Sequence, residues 1–180
     1  MSNYRKYLLG LALCVALPAM AQGPDSASLE FGGGEHTRIA RVGAQWNWER
    51  EWLKTDKAQL GGYWDLTLAS MHMSRYRNVK GSDKTIANIG ITPVFRYARS
   101  GNIGLYVEGG IGVHLLSDLY DNATDQMSTS FQFGDHIGLG YRFANGWDAS
   151  VKIQHFSNGG IKRPNDGVNY LVVRVAKSLR

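Results

Sequence analysis

No stretch of this sequence reaches the roughly 20 consecutive apolar residues that a membrane-spanning helix needs, so any membrane role has to rest on strands. Cysteine is almost missing as well. The only one, Cys14, lies inside the N-terminal apolar run, and the rest of the chain can form no disulfide in an oxidising compartment. Strong charge of one sign is lacking too: the full chain carries a net +5, and the +3 left without residues 1–21 is too mild to argue for nucleic acid.

Arg5 and Lys6 precede an apolar run from Leu8 to Leu17 and the small-x-small site Ala19-Met20-Ala21. This pattern predicts an export signal over residues 1–21, with Gln22 opening the mature chain. Lipoprotein processing at Cys14 would want a small residue before the cysteine, and Leu13 stands there. Loss of residues 1–21 removes two basic residues and no acidic ones, leaving 18 against 15 and a net +3. The remaining residues, 22–180, are enough for one domain.

Glycine is abundant instead, 22 in 180, which favours turns and tight strand packing over helix. After the signal the chain alternates apolar and polar residues, the mark of strands with two unlike faces. Ile103, Leu105, Val107, Ile111, Val113 and Leu115 share one face, and Tyr106, Glu108 and His114 share the other. Similar alternation runs through Ala40, Val42, Ala44, Trp46 and Trp48, and through Ile137, Leu139, Tyr141 and Phe143. Weaker versions cover residues 63–74 and 85–97, the second interrupted by Pro93. With strands near 26–34, 147–157 and 168–178 the total is eight. An even number lets an antiparallel barrel close with both termini on one side.

Alternation leaves open which face is inside. A soluble periplasmic lipid-binding barrel would turn the apolar residues inward; a membrane barrel turns them to lipid and keeps a polar lumen. The second arrangement is favoured because it gives Lys152, Gln154, Glu108, His114, Arg142 and Arg174 an interior and leaves Trp46, Trp48, Tyr141, Phe143 and Trp147 for interfacial girdles. The expected fold is therefore an all-β, eight-stranded antiparallel transmembrane barrel.

One strand breaks the pattern. In residues 147–157, Val151 and Ile153 hold the apolar face, yet His155 and Ser157 follow on that same side. Residues i and i+2 of a strand point the same way, so an imidazole stands beside a hydroxyl. A serine hydroxyl is a weak nucleophile until such a base takes its proton. By parity in the last strand, Asn169 shares this face and its amide oxygen can orient the ring, with Asp166 next in line for that role. The bland reading is a polar strand end among lipid headgroups.

The wider segment, His155-Phe156-Ser157-Asn158-Gly159-Gly160-Ile161-Lys162-Arg163-Pro164-Asn165-Asp166-Gly167, closely resembles the signature of the PagL family of outer-membrane lipid A 3-O-deacylases. The resemblance implies a serine esterase that hydrolyses the ester-linked 3-hydroxyacyl chain at the 3-position of lipid A, in the outer membrane of a Gram-negative cell. It makes His155 and Ser157 the catalytic pair, Asn158 the oxyanion-supporting residue and Asn165 a further signature position, with Phe133 as an upstream aromatic. Asn169 stands where well-known members carry glutamate. Lys162 and Arg163 are candidates to attract lipid A phosphates, against the alternative of an ordinary solvated loop. No cofactor is implied; the partner is lipopolysaccharide itself, and a homodimer is compatible with the reading. A non-catalytic outer-membrane barrel, serving adhesion or envelope stability, would show the same alternation without needing the His-x-Ser-Asn constellation.

Other clusters are weaker. His36, His72, His114 and His136 lack metal-ligand spacing, and Asp118, Asp121, Asn122 and Asp125 fit no EF-hand loop. Gly32-Gly33-Gly34 and Gly159-Gly160 are not followed by the helix a phosphate loop requires.

Overall fold

The computed structural model describes residues 23–180; the expected signal and Cys14 lie outside the described residues. Eight strands close into one antiparallel barrel: β1 (Ser26–Gly34), β2 (Thr37–Asn47), β3 (Ala58–Met73), β4 (Lys84–Arg99), β5 (Gly104–Leu116), β8 (Phe131–Arg142), β9 (Trp147–Ser157) and β10 (Val168–Ser178). A two-residue pair, β6 (Asp121–Asn122) and β7 (Asp125–Gln126), forms a small hairpin in the connection between β5 and β8. Each barrel strand pairs with its chain neighbour, and β1 closes on β10 from Ser26 opposite Ser178 to Gly33 opposite Leu171.

Among the described residues no helix is long and apolar enough to cross a membrane. The strands carry the apolar face outward instead. Leu105 is 65% exposed and Ile111 67%, whereas Glu108 and His114 of the same strand are buried. A soluble barrel with an apolar interior is thereby excluded.

The lumen is a packed ionic core. The Glu30 carboxylate accepts from Arg41 Nη1 and Lys152 Nζ, each at 2.8 Å. Asp148 takes Arg96 at 2.8 Å and Arg174 at 3.0 Å, and Glu108 takes Arg96 at 2.8 Å and the Tyr63 hydroxyl at 2.9 Å. Buried charges are tolerated when each meets an opposite charge with good geometry, and these cross-links tie strands from every side of the barrel. Arg142, expected among them, is only half-buried near the end of β8. At the end opposite the termini an apolar cluster that includes Met71, Met73, Ile86, Tyr120, Met127, Phe156 and Tyr170 fills the interior.

Strand boundaries differ from the sequence pattern in instructive places. The first barrel strand after the hairpin begins at Phe131, because Phe131, Phe133 and Asp135 continue the outward face ahead of Ile137. Pro93 sits within β4 and pairs with Trp64 of β3, while the pairing of β4 with β5 lapses between Ile91 and Val94. Proline offers no N–H to the ladder, and the lapse falls where it is missing. The aromatic residues expected at strand ends gather at the end that holds both termini: Trp48 packs edge-on against Trp52, Trp64 and Phe95, and Tyr141 lies 4.9 Å from Phe143.

Candidate active site

At the other end of the barrel, β9 and β10 are joined by a connection of ten residues, Asn158 to Gly167. The register sets Asn169 directly opposite His155, and Phe133 of β8 directly opposite Ser157. All four side chains point to the outer wall, where His155, Ser157 and Phe133 are half-buried and Asn169 is exposed.

The imidazole is held at one nitrogen. His155 Nδ1 lies 2.9 Å from Asn169 Oδ1. An amide oxygen can only accept, so the ring proton sits on Nδ1 and Nε2 presents its lone pair. The Ser157 side chain makes no hydrogen bond among the described residues, which leaves its hydroxyl free to turn toward that lone pair.

Gly167 confines the opposite edge of the ring. Its φ is +73°, and a Cβ there would meet His155 Cε1 at 2.6 Å and Nε2 at 3.1 Å. Glycine is needed on both counts, backbone conformation and space.

The connection is organised by two asparagines. Asn158 is fully buried; its Nδ2 donates to the Lys162 carbonyl at 2.7 Å and its Oδ1 accepts from the Gly160 N–H at 3.0 Å. Asn165 Oδ1 accepts from the Asn158 N–H at 2.7 Å. Its amide is thus turned into the loop. Lys162 and Arg163 are exposed on the same connection, with neither side chain in an ion pair among the described residues. Asp166 is directed elsewhere, accepting from the Gln126 N–H at 2.8 Å and so latching this connection to the hairpin segment. Phe133 packs edge-on against Phe131 at 5.1 Å and lies under Gly159, whose Cβ would come within 3.0 Å of the ring.

Two features escaped the sequence pattern. Asp135 of β8 pairs with His155 on the side away from Asn169, so the imidazole stands between an amide and a carboxylate in one cross-strand row. From this row a groove of about 600 Å³ runs over the outer wall, lined by His155, Asp135, Ile153, Ile137, Ile111 and Phe95. Gly109 faces outward opposite Phe95 and has no side chain to fill the groove. Among the described residues no group of three or more His, Cys, Asp or Glu is arranged to hold a metal ion.

Together these residues place an imidazole of fixed tautomer, a hydroxyl on the same face two residues on, a glycine turn and an apolar groove on one stretch of the outer wall. That set suits attack on an ester carried by a long apolar chain.

Residues 38–178 match the family model described as lipid A 3-O-deacylase (PagL). A lipid A deacylase PagL of Pseudomonas aeruginosa is 35% identical over 171 residues, covering 91% of this chain and 93% of the relative. The lipid A deacylase PagL of Bordetella bronchiseptica is 32% identical over 164 residues, covering 89% and 86%. Among solved structures, the outer membrane enzyme PagL superposes with a TM-score of 0.74 at 29% identity, over 86% of this chain and 99% of that one. The Yersinia pestis outer membrane protein Ail, at 9% identity and a TM-score of 0.52, shares the fold alone.

Proposed function

The chain belongs to the lipid A 3-O-deacylase (PagL) family, and from that premise we propose that it removes the 3-hydroxyacyl chain esterified at the 3-position of lipid A in the outer membrane of a Gram-negative cell. The observation that carries the proposal is the hydrogen bond from His155 Nδ1 to Asn169 on the outer wall, beside the unengaged hydroxyl of Ser157. A polar pair exposed to lipid is costly to keep without a use, and lipid A is a substrate that reaches the enzyme from that side.

In this reading His155 Nε2 takes the Ser157 proton as Oγ attacks the ester carbonyl. The Gly159 N–H meets the oxyanion, since the flanking Asn158 and Gly160 N–H groups are donated to side chains within the loop, and Asn158 supports it by holding that turn in shape. Collapse of the tetrahedral intermediate breaks the bond to the sugar oxygen, which leaves with the proton from His155. Water, activated by the same imidazole, then releases the fatty acid. No step calls for a cofactor. The acyl chain lies in the groove past Ile153 and Ile137, and Val151, Leu171 and Val173 extend the apolar wall for its neighbours. Lys162, Arg163 and Asn165 on the connection, with Phe133 below it, form the headgroup side, the two cations meeting phosphate.

The same reading includes a signal over residues 1–21 removed on export, a barrel domain over 22–180 with its site at the end opposite the termini, and a monomer or homodimer as the working unit. The test is lipid A incubated with the purified barrel in detergent: mass spectra should lose one 3-hydroxyacyl group as free 3-hydroxy fatty acid appears. Intact lipid A after prolonged incubation with folded protein would favour the non-catalytic barrel.

A further inference from the structure

Asp135 is the sole acidic residue on the outward faces of the eight barrel strands. The other charged residues there, Arg38, Arg99 and Lys177, lie at or near strand ends. Its neighbours on that face are apolar: Phe133 and Ile137 along β8, and Ile111 opposite on β5. Among the described residues no hydrogen bond or ion pair engages its carboxylate. A charge placed on an apolar wall without a partner needs a reason. The register gives the location of that reason, since Asp135 is the direct cross-strand partner of His155, and both line the same groove.

His155 also has an unmet requirement. Asn169 fixes its tautomer with a neutral oxygen, 2.9 Å from Nδ1. Once the imidazole takes the serine proton it bears a full positive charge, and a neutral amide offsets little of it. Directly opposed residues of an antiparallel pair hold their Cβ atoms roughly 5 Å apart, and attraction between unit charges at such separations is several times stronger beside an apolar wall than in water.

We propose that Asp135 is the electrostatic partner of His155, a positioning residue whose carboxylate stabilises the imidazolium across β8 and β9 and supplies the negative charge that Asn169 lacks. The inference rests on the serine and histidine reading above. It assigns the two halves of the orienting role to opposite sides of the ring: Asn169 sets the tautomer, and Asp135 sets the field.

The experiment uses the full barrel in detergent with two substrates, lipid A and a p-nitrophenyl ester of an unsubstituted fatty acid, which has no 3-hydroxyl. Asp135→Asn should lower kcat at least about tenfold on both with KM little changed. In an Asn169→Glu background, where a second carboxylate faces the ring, the same substitution should cost several times less. Asp135→Ser is the second neutral variant should the first fail to show the heat-modifiable mobility of a folded barrel. An unchanged kcat, a loss confined to 3-hydroxyacyl esters, or an equal loss in both backgrounds would overturn the proposal; the second result would make Asp135 a contact to the substrate hydroxyl instead. Ser157→Ala separates the two levels of argument. Activity surviving it removes the catalytic reading and this inference together, whereas an inactive Ser157→Ala beside a fully active Asp135→Asn removes the inference alone.

Discussion

His155 and Asn169 face each other across β9 and β10 with Nδ1 and Oδ1 2.9 Å apart, so the imidazole is oriented by a neutral group. Replacing Asn169 with alanine frees the ring to adopt the wrong tautomer and should reduce turnover, but by less than loss of the nucleophile does. Asn169→Glu should preserve or raise turnover, since about 1.4 kcal/mol of extra transition-state stabilisation is about tenfold in rate. Initial rates on lipid A in detergent decide it. Full activity in Asn169→Ala would remove this residue from the mechanism, and Asp166, occupied with Gln126, is poorly placed to replace it.

Ser157→Ala and His155→Ala should each abolish nearly all deacylation while leaving the barrel folded. In the proposed mechanism nucleophile and base act as a unit, so either loss alone costs about as much as both. Neither side chain contributes to the buried core. Lipid A from cells making each variant would keep its 3-hydroxyacyl complement, and native-like deacylation by either variant would exclude the pair.

The outward and inward faces make a labelling prediction. Val151 is exposed on the wall, and Lys152, one residue on, is buried against Glu30. A cysteine at Val151 should react with a lipid-confined reagent in intact outer membranes, and one at Lys152 should resist it. Equal labelling would contradict the membrane reading of the barrel.

The lumen should govern stability separately from activity. Glu30 has no exposed side-chain surface and is shared by Arg41, Lys152 and, at 3.7 Å, Arg174. Glu30→Ala leaves these cations without their common anion, and removal of one partner from a buried ion pair costs about 3–5 kcal/mol. The temperature at which the folded band converts to the unfolded one on a gel should fall well below that of the native barrel. An unchanged transition would mean that water or another carboxylate replaces Glu30.

Period-two patterning carries most of this fold because each barrel strand has one face in lipid and one in a polar lumen. β9 and β10 were legible to the residue for that reason, and His155 and Ser157 stood out as polar residues on an apolar face. Asp135 is the same kind of irregularity, but it stands ahead of the alternation that runs from Ile137 to Phe143, and that pattern alone starts the strand after it. The groove was not legible, since it depends on which outward residue of β5 lies beside which of β4 and β8. Asn158 and Asn165 were visible as signature positions, yet their hydrogen bonds within the loop belong to three-dimensional geometry that residue spacing does not encode.

Gly167 shows what remains hidden when a residue acts through lack of a side chain. It ends the connection just before β10, where a glycine is easily taken for a simple turn. Its φ of +73° suits glycine, but many turns have that property. The decisive fact is that the space a methyl group would need is occupied by His155, with Cε1 2.6 Å and Nε2 3.1 Å from the ideal Cβ position. Gly167→Ala must therefore displace the ring, because the backbone on this side is fixed by the pairing of Val168 with Phe156. The displaced edge carries Nε2, the nitrogen that in the proposed mechanism accepts the Ser157 proton, and a misplacement of about 1 Å can cost about a hundredfold in rate. The backbone strain itself, about 1–2 kcal/mol, is small beside the roughly 5–15 kcal/mol by which folded proteins are stable. The variant should fold, show native heat modifiability and bind lipid A, yet turn it over at least about tenfold more slowly. Native turnover in a folded Gly167→Ala barrel would mean that the ring has room to retreat without losing Ser157, and that its placement is set by Asn169 alone.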